Sequence, residues 1–245
     1  MHSRNKLLRL LLRNYRAWKY GFTYRRIKSF ETPKKIKYKS QSYNVFFPNG
    51  YEKIFSEVLL DDEYFLDELR ENISTIIDIG GNLGIFSIAA RLHFQESNII
   101  AFEPSNKTFE ILERNSTVFN YRCVQKGIGT RKTKCKINIG GSHGELTSID
   151  ENQDGDIEVI PLDSIFESFK IKHIDLLKMD IEGNEYNVLS NTKRLSSISY
   201  ITIEYHDSTP KDIVSFFNQL NFSPINLMEG PYGTGTILVK NNIPS

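Results

Sequence analysis

Short apolar runs alternate with amphipathic helical patterns along most of this chain, which predicts strands alternating with helices. The clearest stretch has apolar runs at about 75–80, 98–103 and 121–125, separated by helical patterns at about 84–93 and 105–116. A βαβαβ order of this kind implies a parallel sheet with right-handed crossover connections. We therefore expect an α/β fold.

The pattern changes between residues 125 and 172. Polar and apolar residues alternate over 134–139 and 156–160, and the first run leads into a glycine-rich segment at 140–144. This predicts a β-hairpin or a similar insertion, followed by a short helix at 162–169. Beyond it we expect strands at about 173–180 and 199–205, helices at about 185–194 and 210–220, and a late antiparallel hairpin of strands near 223–228 and 235–240.

Two segments precede the first predicted strand. Residues 52–70 carry an apolar stripe that predicts one helix, whereas residues 21–50 look irregular apart from a short strand at 43–47. A chain of 245 residues can form one large α/β domain and leaves too little for a second of full size. We assign residues 1–50 to a basic N-terminal arm and residues 51–245 to the domain.

Charge is unevenly distributed between these two parts. The net charge is +1, but residues 1–39 contain 13 Lys and Arg against the single Glu31, which leaves 18 basic and 29 acidic residues for 40–245. An acidic body argues against a broad nucleic-acid surface. Cys123 and Cys135 lack metal-site spacing and the five histidines are scattered, so we expect no structural zinc and a reducing, cytoplasmic location.

The arm begins with a predicted amphipathic helix. An apolar side and a basic side recur at helical spacing, namely Leu8, Leu11, Tyr15 and Trp18 against Arg9, Arg13, Arg16 and Tyr20. The apolar run is too short to span a bilayer, and no small-residue cleavage site follows it. One interpretation places residues 4–20 peripherally on an anionic membrane at its inner face. The favoured one packs the leucines on the domain or on a second subunit of a homodimer.

A glycine-rich turn follows the first strand of the domain. Its spacing is Asp78-x-Gly80-x-Asn82-x-Gly84, and a second acidic residue, Glu103, ends the next strand. Glycines let the backbone approach a ligand closely, and a carboxylate at the second position can bind a ribose diol. The turn therefore suggests a nucleoside-bearing ligand, although close packing of strand and helix alone could also explain it.

Both S-adenosylmethionine (SAM) and NAD enzymes use such turns. The spacing differs from G-x-G-x-x-G, and a carboxylate at Asp78 would repel a pyrophosphate but could pair with the ammonium group of a methionine moiety. These two details favour SAM, with an NAD-linked oxidoreductase as the alternative.

Ionisable residues also follow two later strands. Lys178, Asp180 and Glu182 stand at the end of the fourth strand, and Glu204 and His206 at the end of the fifth. Because ligands bind at the carboxyl ends of strands in such sheets, we expect these side chains to converge beside the cofactor. A solvated helix cap is the alternative for Asp180 and Glu182, and it is our interpretation of Glu185.

Four motifs in this order and spacing resemble the FkbM family of SAM-dependent methyltransferases. They are Asp78–Gly84, Ala101–Ser105, Pro161–Ser164 and Leu177–Glu185, and the similarity covers about residues 73–206. The resemblance implies the class I methyltransferase fold, which is Rossmann-like with a mostly parallel seven-stranded sheet and one antiparallel strand. It also implies O-methylation of hydroxyl groups on sugars, glycans or other natural products. An RNA acceptor is an alternative through the basic arm.

The resemblance also implies roles for single residues. Asp78, Gly80, Asn82 and Gly84 would hold the methionine end of SAM, Glu103 the ribose, and Pro104 and Ser105 the adenine. Asp180 and Glu182 match the motif that faces the acceptor. His206 is our preferred general base, because an imidazole titrates near neutral pH, and Asp180 is the second candidate. A Mg²⁺ ion on Asp180, Glu182 and Glu204 is a less favoured alternative.

Overall fold

The computed structural model describes residues 2–24, 33–38, 40–140, 146–150 and 155–243. The N-terminal part consists of helix α1 (His2–Lys19), a hairpin of strands β1 (Lys35–Tyr38) and β2 (Gln41–Asn44), and helix α2 (Glu52–Phe55), which continues as a π-helical segment at Ser56–Leu60. The predicted short strand at 43–47 is thus found slightly earlier and has a partner that the sequence pattern did not indicate.

The rest of the chain alternates strands and helices. The first half contains β3 (Thr75–Ile79), α3 (Ile85–His93), β4 (Asn98–Phe102), α4 (Asn106–Phe119), β5 (Arg122–Val124), β6 (Gly127–Gly129), β7 (Thr133–Gly140) and β8 (Leu146–Asp150). The second half contains β9 (Ile157–Pro161), α5 (Asp163–Ser168), β10 (Ile174–Met179), α6 (Glu185–Ser190), β11 (Ile198–Tyr205), α7 (Pro210–Gln219), β12 (Phe222–Glu229) and β13 (Gly235–Asn241).

Seven of these strands form the central sheet, in the order β12-β13-β11-β10-β3-β4-β5. Strand β13 runs antiparallel to both of its neighbours, and the other pairs are parallel. The predicted class I methyltransferase fold, a Rossmann-like and mostly parallel sheet with one antiparallel strand, is confirmed. The chain reverses its order across the sheet between β3 and β10, so the carboxyl ends of these two strands face one crevice.

The predicted insertion is a second, smaller sheet with the order β6-β9-β7-β8. Strands β7 and β9, which contain the two alternating runs, pair antiparallel. The pattern did not indicate β8, which forms an antiparallel hairpin with β7, and β9 also pairs with β6. The turn of the hairpin, residues 141–145, lies outside the described residues.

Alternation along each central strand builds the core on both faces of the sheet. Successive side chains of a strand point to opposite faces. Accordingly, Ile76 and Leu176 belong to one apolar cluster, and their neighbours Ile77 and Leu177 belong to the other. Continuous apolar runs are needed here because helices cover both faces of a parallel sheet.

The prediction of one helix over 52–70 is wrong beyond Leu60. The chain turns at Asp62 and Phe65, which both have left-handed backbone conformations, before a short 3₁₀ turn at Leu66–Glu68. The carboxylate of Asp62 stabilises this break, because it accepts hydrogen bonds from the backbone N–H groups of Leu66 (2.8 Å) and Asp67 (2.9 Å). The break carries the intervening residues toward the carboxyl ends of the sheet.

Helix α1 packs on this same segment with its basic side. The guanidinium group of Arg13 binds Asp61 and donates to the hydroxyl of Tyr24 at 2.6 Å, and Arg16 donates to the backbone oxygen of Leu60 at 2.6 Å. Arg9 also binds Asp61. The leucines of α1 are exposed instead, so the expectation that they pack on the domain is wrong. Within the described ranges, α1 included, no helix is both long enough and apolar enough to cross a bilayer.

We expect Asp61→Ala to lower the free energy of unfolding by about 3 kcal/mol, because it leaves the guanidinium of Arg13 buried without its carboxylate. The matched control is Glu71→Ala, which removes a carboxylate paired with Lys240 on the surface and should cost less than about 1 kcal/mol. Urea denaturation of both variants measures the difference. Equal losses would contradict the buried ion pair as the main attachment of α1.

Candidate functional site

The turn after β3 is held against the two neighbouring strands. The N–H groups of Gly80 and Gly81 both donate to the backbone oxygen of Phe102, at 3.0 and 2.9 Å. Gly80 has φ +73°, and a Cβ there would lie 1.8 Å from the backbone oxygen of Asp180. Gly84 has φ +85° and caps α3, with the hydroxyl of Tyr121 where a Cβ would be. Close approach therefore requires both glycines, by a backbone oxygen at Gly80 and by a side chain at Gly84.

Asp78 lies beneath this turn rather than at its surface. The residue is fully buried, its Oδ2 accepts a hydrogen bond from the hydroxyl of Ser87 at 2.7 Å, and its Oδ1 lies 3.3 Å from the Nζ of Lys178. It is not among the residues that line the cavities described below. Contact between Asp78 and a methionine moiety stays a prediction, and the observed contacts make it a support for the turn.

Glu103 connects the turn to the end of β4. Its Oε2 accepts from the N–H of Asn82 at 2.8 Å and its Oε1 accepts from the N–H of Ser105 at 2.8 Å. Burial raises its pKa, and these two backbone hydrogen bonds oppose that rise. The hydroxyl of Thr108 also hydrogen-bonds to this carboxylate and opposes the rise, so of the four acceptor positions on the two oxygens one is left for a ligand hydroxyl.

Two adjoining cavities open at the carboxyl ends of the strands. The smaller one is lined by Glu103, Pro104, Thr108 and the segment 126–128. The larger one, of about 360 Å³, is lined by Lys178, Glu204, His206 and residues of the α2 segment. Four residues line both cavities: Gly80, Asn82, Asp180 and Glu182. Of the predicted cofactor residues, Gly84 and Ser105 line neither cavity; the N–H of Gly84 donates to the backbone oxygen of Gly81 at 2.7 Å, and that of Ser105 donates to Glu103.

The predicted acceptor residues do converge in the larger cavity. The Nε2 of His206 lies 3.8 Å from the Oε2 of Glu182 and 3.8 Å from the Oε1 of Glu204. Asp180 accepts a hydrogen bond from the hydroxyl of Tyr64 at 3.1 Å, and its Oδ2 is 3.7 Å from the Nζ of Lys178. The cavity therefore contains one imidazole beside several carboxyl groups and one buried ammonium group.

Crowding of acids raises their pKa values. Burial, together with the charges of Asp180 and Glu185, raises the pKa of Glu182 from its usual 4.5 to about 8. Burial, with the charges of Asp180 and Glu63, likewise raises the pKa of Glu204. At neutral pH these two groups are therefore largely protonated and can donate hydrogen bonds to a ligand oxygen.

Glu185 is not the solvated helix cap that the sequence suggested. Its side chain is fully buried, and its carboxylate accepts from the N–H groups of Ile181 at 2.7 Å and Gly183 at 3.0 Å. These bonds fix the loop in which Glu182 has the left-handed φ of +58°. The interpretation as a solvated cap is therefore wrong, and Glu185 is a buried support for the acceptor loop.

Several lining residues carry no signal in the sequence. Glu63 and Tyr64 reach the larger cavity from the break after Leu60, and burial raises the pKa of Glu63 to about 7. Thr108 and the segment 126–128 complete the smaller cavity. In the sequence, the adjacent aspartates 61 and 62, which interrupt the apolar stripe of residues 52–70, are the one feature that indicates an end of the helix at this point.

The residues that line the smaller cavity and its shared wall have the chemistry that a nucleoside with a short charged tail requires. The glycine turn allows close approach, and Glu103 keeps one free acceptor position for a ribose hydroxyl. Among the side chains that the structure describes, the Oδ1 of Asn82 and the Nδ1 of His206 are buried polar atoms without a hydrogen-bond partner. Among the residues that the structure describes, no group of three or more His, Cys, Asp or Glu side chains is arranged to hold a metal ion.

Comparison with known proteins identifies the family of the domain. The model of the methyltransferase FkbM domain matches residues 78–224, which is more than half of the chain. A protein named methyltransferase 1 from Beauveria bassiana is 27% identical over 185 residues, covering 64% of this chain and 74% of its own length. The hexuronic acid methyltransferase AglP of Haloferax volcanii is 26% identical over 167 residues, covering 64% of this chain and 66% of its own.

Solved structures also include chains of partly similar fold. The M. capricolum TrmK structure, in complex with S-adenosyl-homocysteine, aligns with a TM-score of 0.47 and 15% identity, covering 72% of this chain and 66% of that one.

We expect Gly80→Ala to be far more damaging than Gly183→Ala. Both glycines have positive φ, but a Cβ at Gly183 meets nothing within 4 Å, whereas one at Gly80 overlaps a backbone oxygen. Gly183→Ala should cost only the backbone strain of about 1–2 kcal/mol, and Gly80→Ala more than about 3 kcal/mol together with loss of S-adenosylhomocysteine binding. Thermal unfolding and calorimetry measure both effects. Similar costs would mean that the approach of Asp180 does not constrain the turn.

We also expect stability to fall as the pH rises from about 4.5 to about 8, because Glu182 binds its proton more tightly when folded than when unfolded. Its contribution is fully present below the usual carboxyl pKa and is lost as the pH rises through the folded pKa. Glu182→Gln stays neutral, so its unfolding free energy should decline less across this range. The matched control is Glu110→Gln, at an exposed position of α4, which should follow the original chain. Parallel declines in all three proteins would contradict the raised pKa.

Proposed function

Because this chain belongs to the FkbM family of SAM-dependent methyltransferases, we propose that it methylates a hydroxyl group of a sugar, a glycan or another natural product. The observation that carries the proposal is the placement of His206 between Glu182 and Glu204, in a cavity that shares a wall with the cofactor turn. The relative named as a hexuronic acid methyltransferase supports a carbohydrate acceptor.

We assign the contacts of SAM from the residues that line the smaller cavity and its shared wall. SAM supplies an electrophilic methyl group on a sulfonium centre. The turn from Gly80 to Gly84 would hold the methionine end, Glu103 the ribose hydroxyls, and Pro104 the adenine face. Asn82 and Asp180 belong to the wall between the two cavities, so a methyl group held there would face the larger one. Alignment of this kind supplies much of the rate in a displacement reaction.

The acceptor hydroxyl must lose its proton as the new bond forms. In our proposal the Nε2 of His206 takes that proton, while the protonated carboxyl groups of Glu182 and Glu204 donate hydrogen bonds to neighbouring oxygens of the acceptor. Asp180 is fixed by Tyr64 and Lys178 and orients a second hydroxyl. A polyhydroxylated acceptor suits this arrangement, because it presents several donors and acceptors at once.

A nucleic acid suits the cavity less well. Its wall contains the acidic residues Glu57, Glu63, Asp180, Glu182 and Glu204. Even with Glu182 and Glu204 protonated, the remaining acidic groups outnumber the lysines of the same wall, Lys53 and Lys178, so the wall offers phosphates no excess of positive charge. The acceptor we propose is therefore uncharged or weakly charged where it meets the wall.

His206→Gln should lower the turnover number by about 10²–10⁴, since it removes the proton acceptor, and should leave the affinity for S-adenosylhomocysteine within about threefold. His173→Gln is the matched control, because His173 donates or accepts a hydrogen bond with Ser199 at the other end of β10 and should leave turnover unchanged. Single-turnover methyl transfer and calorimetry separate the two effects. Loss of cofactor binding in folded His206→Gln would assign His206 to the cofactor instead.

The acceptor itself is identified with an extract of cells that lack this protein. The extract is incubated with the purified protein and SAM, and mass spectrometry locates products heavier by one CH₂ unit. A methyl ether on a sugar or another alcohol supports the proposal. A methyl ester, an N-methyl product or a methylated RNA would overturn it.

A further inference from the structure

Helix α1 turns its apolar side outward. Seven of the ten exposed large apolar side chains among the described residues belong to this helix: Leu7, Leu8, Leu10, Leu11, Leu12, Tyr15 and Trp18. Trp18 is 75% exposed and Leu7 is 61% exposed. We call the set Leu7, Leu8, Leu11, Tyr15 and Trp18, which recurs at helical spacing, the leucine face. A contiguous exposed apolar surface of this kind marks a site of interaction.

The orientation of α1 is fixed by its opposite side. The carboxylate of Asp61 binds both Arg9 and Arg13, and Ala17 and Tyr20 are buried against the domain. Burial raises the pKa of Asp61, but the hydrogen bonds from the two arginines lower it by more, so this carboxylate stays charged. The leucine face cannot turn inward without breaking these buried contacts.

Exposed basic residues occur near the Trp18 end of the leucine face. Lys19 is exposed at the end of α1, and Lys34, Lys35 and Lys37 are exposed on the neighbouring strand and the residues before it. One surface groove brings Trp18 and Lys19 together with Lys37. Only one acidic residue occurs among the first 39 residues of the chain. An apolar helix face next to lysines is complementary to a surface that has anionic groups above an apolar layer.

We propose that the leucine face of α1 lies in the boundary between headgroups and acyl chains of an anionic lipid bilayer. Helices that lie in this boundary bury their apolar side there, and basic residues at the headgroups add to the binding. In this protein those residues are lysines such as Lys19 and Lys37, because Arg9, Arg13 and Arg16 bind carboxylates of the domain. Tryptophan and tyrosine are favoured at the same depth, because each has an apolar body and a polar group. A second copy of the chain fits less well, since pairing two such faces brings two basic borders together.

Attachment through α1 also orients the domain. The helix packs on the π-helical segment Ser56–Leu60, and Glu57 and Val58 of that segment line the larger cavity. A bilayer bound at α1 therefore fixes the direction of that cavity relative to the membrane. The orientation of the domain on the bilayer is the same whichever acceptor the larger cavity binds.

Trp18 is the single tryptophan of the chain, so intrinsic fluorescence reports on the leucine face directly. The probes are vesicles of phosphatidylcholine alone and of phosphatidylcholine mixed with phosphatidylglycerol. We expect a blue shift of the emission with the mixed vesicles only, quenching by lipids brominated in their acyl chains, and weaker binding as salt is raised. Binding to neither kind of vesicle, or equal binding to both, would overturn the proposal.

The variant Leu8→Gln with Leu11→Gln should partition into the mixed vesicles at least about tenfold more weakly, because it removes two inserted leucines from the helix surface without touching the arginine contacts. The matched control, Ile225→Gln with Tyr232→Gln, removes two exposed apolar side chains elsewhere and should bind as the original chain does. Circular dichroism confirms that both fold.

Sedimentation without vesicles tests the alternative occupant. If the leucine face binds a second copy, the chain dimerises as its concentration rises, Trp18 shifts to the blue in the absence of lipid, and the leucine variant is monomeric. That outcome would replace the bilayer by a homodimer. A monomer with red-shifted Trp18 emission, which shifts only on addition of phosphatidylglycerol, supports the proposal.

Discussion

The buried ammonium group of Lys178 is the constraint on which the site depends. It stands on β10 directly beside Asp78 of β3, and its Nζ donates to the backbone oxygen of Gly80 at 2.7 Å. Burial lowers its pKa, but the carboxylates of Asp78 and Asp180 raise it by more, so the group stays charged. A buried charge must keep all of its partners. Because these partners belong to both loops, Lys178 holds the cofactor turn and the acceptor loop in one arrangement.

Two buried glutamates extend the same principle to the loops themselves. Glu103 accepts the backbone N–H groups of Asn82 and Ser105, and Glu185 accepts those of Ile181 and Gly183. Asn82, which donates to Glu103, and Glu182, which lies between the two donors to Glu185, both have left-handed backbones that are costly without such support. The carboxylates at the ends of β4 and before α6 therefore have structural roles that precede any contact with a ligand.

The sequence pattern predicted where the site lies better than it predicted the contacts among its side chains. Apolar runs mark the strands, and the carboxyl ends of parallel strands meet at one edge, so the convergence of Asp180, Glu182 and His206 followed from strand order alone. The sequence did not predict that Asp78 and Glu185 are buried. An acidic residue needs hydrogen-bond or charged partners when it is buried, but its type alone does not show which groups those partners are. Tyr64 was also missed, since its position depends on a break in a helix that local periodicity favoured.

The N-terminal helix shows the limit of such patterns most clearly. An amphipathic sequence defines two sides but not which of them faces the protein. Here the side of α1 that faces the protein is determined by Asp61 and Asp62, which are far from α1 in the sequence. These two residues are largely buried and need cationic partners from the arm. Their pairing with Arg13 and Arg16 leaves the leucines in water, which is unfavourable for an isolated molecule. In the arrangement that we propose, the acidic segment after α2 binds the arginines and thereby selects the side of α1 that an apolar environment outside the protein covers.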